Sequence, residues 1–227
     1  MTTTSSRAQR RPWLVMAAVA TLVAVFGVAS WAVPPPATQT VYRAAAAAAT
    51  DAPAWVQQAL GVVADSGILA LAALVLLLTW RARSSGATSL ARALVAAGGV
   101  VVAYATSELL KLSLTQARPC ATLAVSILAE CPGPGDWSLP SNHATIAAAL
   151  ATAIALIAPR WSAPAVGIAF LVAAARVGTG VHYPHDVLTG VALGATVVAL
   201  AAMALDRPGQ ALLRAATRRW PMIARHP

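Results

Sequence analysis

Three short, widely separated stretches concentrate the polar residues capable of chemistry: Lys111 with Arg118-Pro119, Pro140-Ser141-Asn142-His143, and Arg176 followed by His182 and Asp186. Each stands at the edge of an apolar segment. Together they supply cations, histidines and a carboxylate, the parts needed to hold a phosphate and cleave its ester: donors around the equatorial oxygens, a nucleophile in line and an acid for the leaving oxygen. Lys111, Arg118 and Arg176 are the candidate donors. A cation at membrane depth is costly unless it is paired or faces water, which marks all three as functional candidates. Each taken alone equally fits a side chain snorkelling to lipid headgroups. Lys111 also stands three residues after Glu108 and can pair with it along a helix.

His182 and Asp186 are four apart, with Pro184 at a first-turn position, so the carboxylate can reach the imidazole. A carboxylate on one ring nitrogen fixes the tautomer and leaves the other nitrogen free to attack; a purely structural His–Asp hydrogen bond is the alternative. His143 follows Pro-Ser-Asn at a helix start, where free N–H groups and the helix dipole favour an anion. Ser141 can cap that helix, donate to phosphate, or both. By type, His143, His182, His185 and Asp186 would also satisfy zinc or iron. No His-Glu-x-x-His occurs, however, and the nearby cations repel a metal ion while attracting an anion. The expectation is a site without metal or other cofactor, with His185 lining the pocket.

The elements that must position these residues are apolar. A chain of 227 residues with 59% hydrophobic and 10% charged content reads as a polytopic membrane protein. Its formal charge of +9 comes from arginines in the short segments between apolar runs, which fits the positive-inside rule and not nucleic-acid binding. A run at 13–33 follows Arg7, Arg10 and Arg11 and reads as a retained first helix, because its length of about 20 residues exceeds the core of a cleaved signal peptide. Residues 37–54 read as an alanine-rich, proline-containing loop, and 55–64 as an interfacial segment before a second span at 65–81. Further spans are expected at 89–110, 143–158, 162–178 and 187–205. The basic tail from Gln210 to Trp220 suits an amphipathic helix on an anionic leaflet or an unstructured segment. The expectation is one all-α domain over 1–227, an integral membrane bundle of six transmembrane helices with the motifs within 111–186.

The distribution of charge tests this layout. With the N-terminus cytoplasmic, only Arg43, Lys111, Arg118 and Arg176 of the 16 Lys and Arg residues fall outside, leaving 12 within. Both termini are then cytoplasmic and all three motifs face outward. Cys120 and Cys131 bracket the loop between the first two motifs on that face, where an oxidising compartment permits a disulfide; two free apolar thiols are the alternative.

The pattern Lys111-x6-Arg118-Pro119, Pro140-Ser141-Asn142-His143 and Arg176-x5-His182-x3-Asp186 resembles the three-part signature of the type 2 phosphatidic acid phosphatase superfamily, which includes acid phosphatases and vanadium haloperoxidases. The resemblance implies that His182 becomes phosphorylated, Asp186 orients it and His143 protonates the leaving oxygen. It also implies that Lys111, Arg118, Ser141, Asn142 with nearby backbone amides, and Arg176 hold the phosphate. Two positions depart from the pattern: Asn142 stands where glycine is usual, and Ala175 where serine usually precedes the arginine. Asparagine tolerates glycine-like backbone angles, so Asn142→Gly is expected to retain or raise activity.

The expected function is hydrolysis of a lipid phosphomonoester or diphosphate at the outer face of a bacterial inner membrane. Polyprenyl diphosphate, phosphatidylglycerophosphate and phosphatidate are the substrates the resemblance suggests, and membrane lipids the partners. A lipid-linked phosphotransferase using the same phosphohistidine, and a non-enzymatic or impaired member, are the alternatives.

Overall fold

The computed structural model describes residues 34–219, so the span expected at 13–33 lies outside the described residues. The described chain is helical, without strands. Helix α1 covers Pro36–Thr50, where the sequence suggested a loop. A proline in the first turn and the alanine run that follows are strong local reasons for a helix, and Tyr42, Ala46 and Ala49 bury one face of it. Helix α2, Ala54–Ala82, is continuous, so 55–64 is not a separate interfacial segment.

Helix α3, Ala87–Leu114, runs a turn past its expected end and carries Lys111 on its last turn; Thr115, at φ 44°, then stops it in the left-handed region. A single turn, α4 (Pro119–Thr122), and an irregular segment lead to α5 (Asn142–Ile157). A 3-10 turn at Pro159–Trp161 enters α6, Ser162–Gly178. Helix α7, Pro184–Arg219, continues through Pro208 and takes in the basic stretch expected to begin a separate tail. Asp206, just before that proline, lies 3.5 Å from Arg92 and links α7 to α3.

Helices α2, α3 and α7, and α6 taken with the 3-10 turn before it (Pro159–Gly178, 20 residues), are long and apolar enough to cross a membrane, whereas α5, with 16 residues, is shorter. Packing follows membrane rules. Helix α5 is the centre, in contact with α2, α3, α6 and α7, and it buries Ala144, Ala147, Ala149, Ala151 and Ala153. Small side chains let neighbours approach from every side, while Leu76, Phe170 and Leu188 point outward, 71%, 69% and 55% exposed. Between apolar helices in lipid, close packing replaces the hydrophobic effect as the cohesive force.

The closest approach is that of α7 to α5 at Gly190 and Gly194. A Cβ at these positions would stand 2.5 Å from the carbonyl oxygen of Ser141 and 2.1 Å from that of Thr145. This fit draws the start of α7 against the start of α5. The end of α3 and the end of α6 reach the same pole of the bundle, which therefore gathers all three motifs. Helix α1 braces that pole: the Tyr42 hydroxyl donates to the Gly180 carbonyl at 2.9 Å, and its ring packs on Tyr183 at 5.5 Å. A disulfide joins Cys120 to Cys131, with Cα atoms 5.9 Å apart, and closes the base of the loop that precedes the second motif.

Candidate active site

His182 lies in the turn between α6 and α7, outside both helices, and is 1% exposed. Its Nε2 is 3.0 Å from Arg118 Nη1. A guanidinium can only donate, so Nε2 is the bare acceptor nitrogen and Nδ1 carries the proton. Burial pushes the ring's pKa well below its ordinary value, and the charges of Arg118, Arg176, Lys111 and His143 push the same way. The imidazole is therefore neutral, with its lone pair on the nitrogen that faces the cations.

On the other side of the ring, Asp186 Oδ2 is 3.5 Å from Nδ1. Sequence reasoning missed the residue wedged beside them. Ser138 Oγ donates to Asp186 Oδ2 at 2.5 Å and lies 3.4 Å from His182 Nδ1. Having given its proton to the carboxylate, the hydroxyl offers the histidine a lone pair. The Tyr183 N–H also donates to Asp186 Oδ2, at 2.8 Å. Asp186 is thus held by its neighbours and connects to the proton-bearing side of the imidazole through Ser138.

The second motif meets the third through its backbone, since the Ser141 N–H donates to the Asp186 carbonyl at 3.0 Å. Ser141 is at the N-cap of α5 but makes no side-chain cap bond; its hydroxyl is buried without a protein partner, and so is Arg176 Nε. Two buried donor groups at one pole are therefore without a protein partner. His143, two residues on, is one-third exposed and lies 3.4 Å through Nε2 from the Asp65 carboxylate of α2. Asp65 carried no signal in sequence because it lies 78 positions from His143 among apolar residues.

Lys111 turns to Asp136 Oδ1, at 3.3 Å, and not to Glu108. Glu108 instead accepts from Asn142 Nδ2, and Asn142 Oδ1 accepts from Ser107 Oγ at 2.7 Å. Asn142 opens α5 with a negative φ, so no glycine-like backbone angle is involved. This reverses the expectation for Asn142→Gly. Removing the amide severs two bonds between α3 and α5 and takes a partner from buried Ser107. A loss of about 1–3 kcal/mol and several-fold lower kcat/KM should appear in thermal unfolding and turnover of the detergent-solubilised variant.

His185 is buried away from the cations, 2.9 Å from Gln116 and 3.2 Å from Thr38, with its ring stacked on Tyr183. It braces the turn. Among the described residues no group of three or more His, Cys, Asp and Glu side chains converges to hold a metal ion.

Fold and site together define a multi-pass membrane protein with a neutral histidine held between a carboxylate and a set of buried cations. Residues 92–208 match the profile of the PAP2 superfamily, and the chain belongs to that family. Among curated proteins it is 33% identical over 129 residues to a lipid A 1-phosphatase of Rhizobium johnstonii, covering 56% of this chain and 52% of that one. It is 38% identical over 99 residues to an undecaprenyl-diphosphatase of Sulfolobus acidocaldarius, covering 43% and 47%. It is 39% identical over 110 residues to a decaprenylphosphoryl-5-phosphoribose phosphatase of Mycobacterium tuberculosis, covering 47% and 58%. The chain thus spans about half the length of the curated relatives it matches. The crystal structure of a transmembrane PAP2-type phosphatidylglycerolphosphate phosphatase from Bacillus subtilis superposes with a TM-score of 0.64 over 83% of this chain and 94% of that one, at 21% identity, which establishes a shared fold.

Proposed function

We propose that this protein is a membrane lipid phosphatase that cleaves a phosphomonoester or diphosphate through a phosphohistidine. The observation that carries the reading is the bare, neutral Nε2 of His182 facing Arg118 while its other nitrogen faces Asp186 and Ser138. Nε2 attacks phosphorus as the bond to the leaving oxygen breaks, and His143 delivers a proton to that oxygen. Water then attacks the phosphohistidine, returns a proton to His143 and releases phosphate. Lys111, Arg118 and Arg176, the Ser141 hydroxyl and the amides opening α5 hold the charge that develops on the equatorial oxygens.

No step calls for a metal ion. The names of the relatives, which include a lipid A phosphatase and two polyprenyl-linked phosphatases, support a lipid substrate. Purified protein should release phosphate from at least one of phosphatidate, phosphatidylglycerophosphate and a polyprenyl diphosphate, equally with and without EDTA. No release from any member of that panel would overturn the reading.

The catalytic pole is placed on the outer face of a bacterial cell membrane, with both termini cytoplasmic, on the strength of the cation distribution. Ser84 joins α2 to α3 at the pole opposite the site, and Pro134 lies in the loop before the second motif. Pro134→Cys should label with an impermeant maleimide in intact cells, and Ser84→Cys only after permeabilisation. Labelling of both from outside would refute the orientation.

A further inference from the structure

Asp136 stands where a substrate oxygen is needed. Its Oδ1 bridges two cations of the proposed phosphate site, 2.8 Å from Arg118 Nη2 and 3.3 Å from Lys111 Nζ, and its carbonyl oxygen accepts from Arg118 Nε at 2.9 Å. Burial raises the pKa of its carboxyl, but Arg118 and Lys111 outweigh that and hold it below the usual range, so the group is an anion. The two sides of this contact differ in freedom. The Lys111 and Arg118 side chains are 8% and 4% exposed, whereas that of Asp136 is 53% exposed. The cations are fixed in the bundle and the carboxylate can swing away.

We infer that Asp136 is a specificity-determining residue: a tethered carboxylate that occupies the phosphate donors and admits only headgroups carrying more than one negative charge. The inference rests on the proposed phosphatase reading. The protein is surrounded by phosphodiester lipids, whose headgroup phosphate carries one charge, the same as the carboxylate. A tethered group acts at an effective concentration in the millimolar range or above, so a singly charged competitor gains little by replacing it. A terminal phosphate carries about −1.5 to −2 at neutral pH and offers three oxygens to the same donors. It wins where a phosphodiester does not.

The test uses the full chain in neutral-detergent micelles, comparing wild type with Asp136→Asn. The amide keeps the side chain's shape, and the main-chain bond to Arg118 remains. Binding of inorganic phosphate, followed by calorimetry, should tighten about tenfold in the variant, as expected when a competing charge at millimolar effective concentration is removed. Phosphatidylglycerol added to the micelles should inhibit the variant's turnover of a lipid monophosphate at least fivefold more strongly than wild type. Asp136→Ser should behave like Asp136→Asn, while Asp136→Glu should resemble wild type.

Weaker phosphate binding by both neutral variants would show that the carboxylate organises the cations, and would overturn the inference. Unchanged phosphate affinity, with unchanged sensitivity to phosphatidylglycerol, would overturn it too. Failure of wild type and of both neutral variants to bind phosphate, with no turnover of a lipid monophosphate, would instead strike at the phosphatase reading, so the two failures are distinguishable.

Discussion

Alanine at His182 should abolish phosphate release from every ester offered, whereas alanine at His143 should be crippled only where the leaving oxygen is basic. Without the Nε2 lone pair no phosphohistidine forms, so His182→Ala should lose about 10³-fold or more in kcat/KM on both a lipid monophosphate and nitrophenyl phosphate. An alkoxide leaves only with a proton, which makes the acid worth about 10²–10⁴-fold, whereas nitrophenolate leaves largely unaided. His143→Ala should therefore recover most of its lost rate on nitrophenyl phosphate. Equal rescue of both variants would refute the division of roles. Since the His182 ring titrates well below the ordinary 6.5, and must be neutral to attack, the acid limb of kcat/KM should fall below that pH.

Gly194→Leu is expected to disable the protein without touching a catalytic side chain. A Cβ at 194 would lie 2.1 Å from the Thr145 oxygen and 2.9 Å from the Ala149 nitrogen, both backbone atoms of α5 that cannot rotate aside. The helices must part, and Ser141 and His143 then move away from Asp186. Overpacking of this kind costs about 1–3 kcal/mol or more, so the midpoint of thermal unfolding should fall and folded variant should lose at least about tenfold in kcat, as misplacing reacting groups by about 1 Å can do. Gly167→Ala is the control. Nothing lies within 4 Å of a Cβ there, and alanine is the better helix former, so that variant should match or slightly exceed wild-type stability.

Much of this architecture is legible in the sequence, for identifiable reasons. Helix α6 has the expected bounds, 162–178, and α5 differs by one residue at each end, because Pro-Ser-Asn and Ala-Pro punctuate those apolar runs. The composition around helix α1 hides it: the prolines at 34–36 and the polar residues after them suggest a loop, although proline belongs at a helix start and alanine within one. Asp206, Arg207, Pro208 and Gly209 look like a break between span and tail, yet the helix runs through them to Arg219, so the basic stretch is helical and continuous with α7.

Within the site, residues of unusual type for their setting were visible and residues of ordinary type were not. A lone lysine or a histidine in an apolar chain draws notice; Ser138, Gln116 and Tyr42 are unremarkable until the fold sets them against His182, His185 and Gly180. Asn142 stands out in sequence as a replacement for glycine, whereas its amide is what the structure uses. Its partners Ser107 and Glu108 lie more than 30 positions away, so only the packing of α3 on α5 shows that its amide is used.

The shortness of α5 bears on how a substrate arrives. Its 16 residues rise about 24 Å, less than the about 30 Å of a hydrocarbon layer. This central element is packed among α2, α3 and α7, which are longer, with His143 near its start. A bundle built around a short centre adapts to the bilayer by tilt or local thinning. On the proposed reading, a phosphate carried on a lipid tail would reach the histidines by lateral diffusion, with its chains still in the bilayer. Turnover should accordingly respond to the thickness of the host membrane, a variable that detergent assays do not reveal.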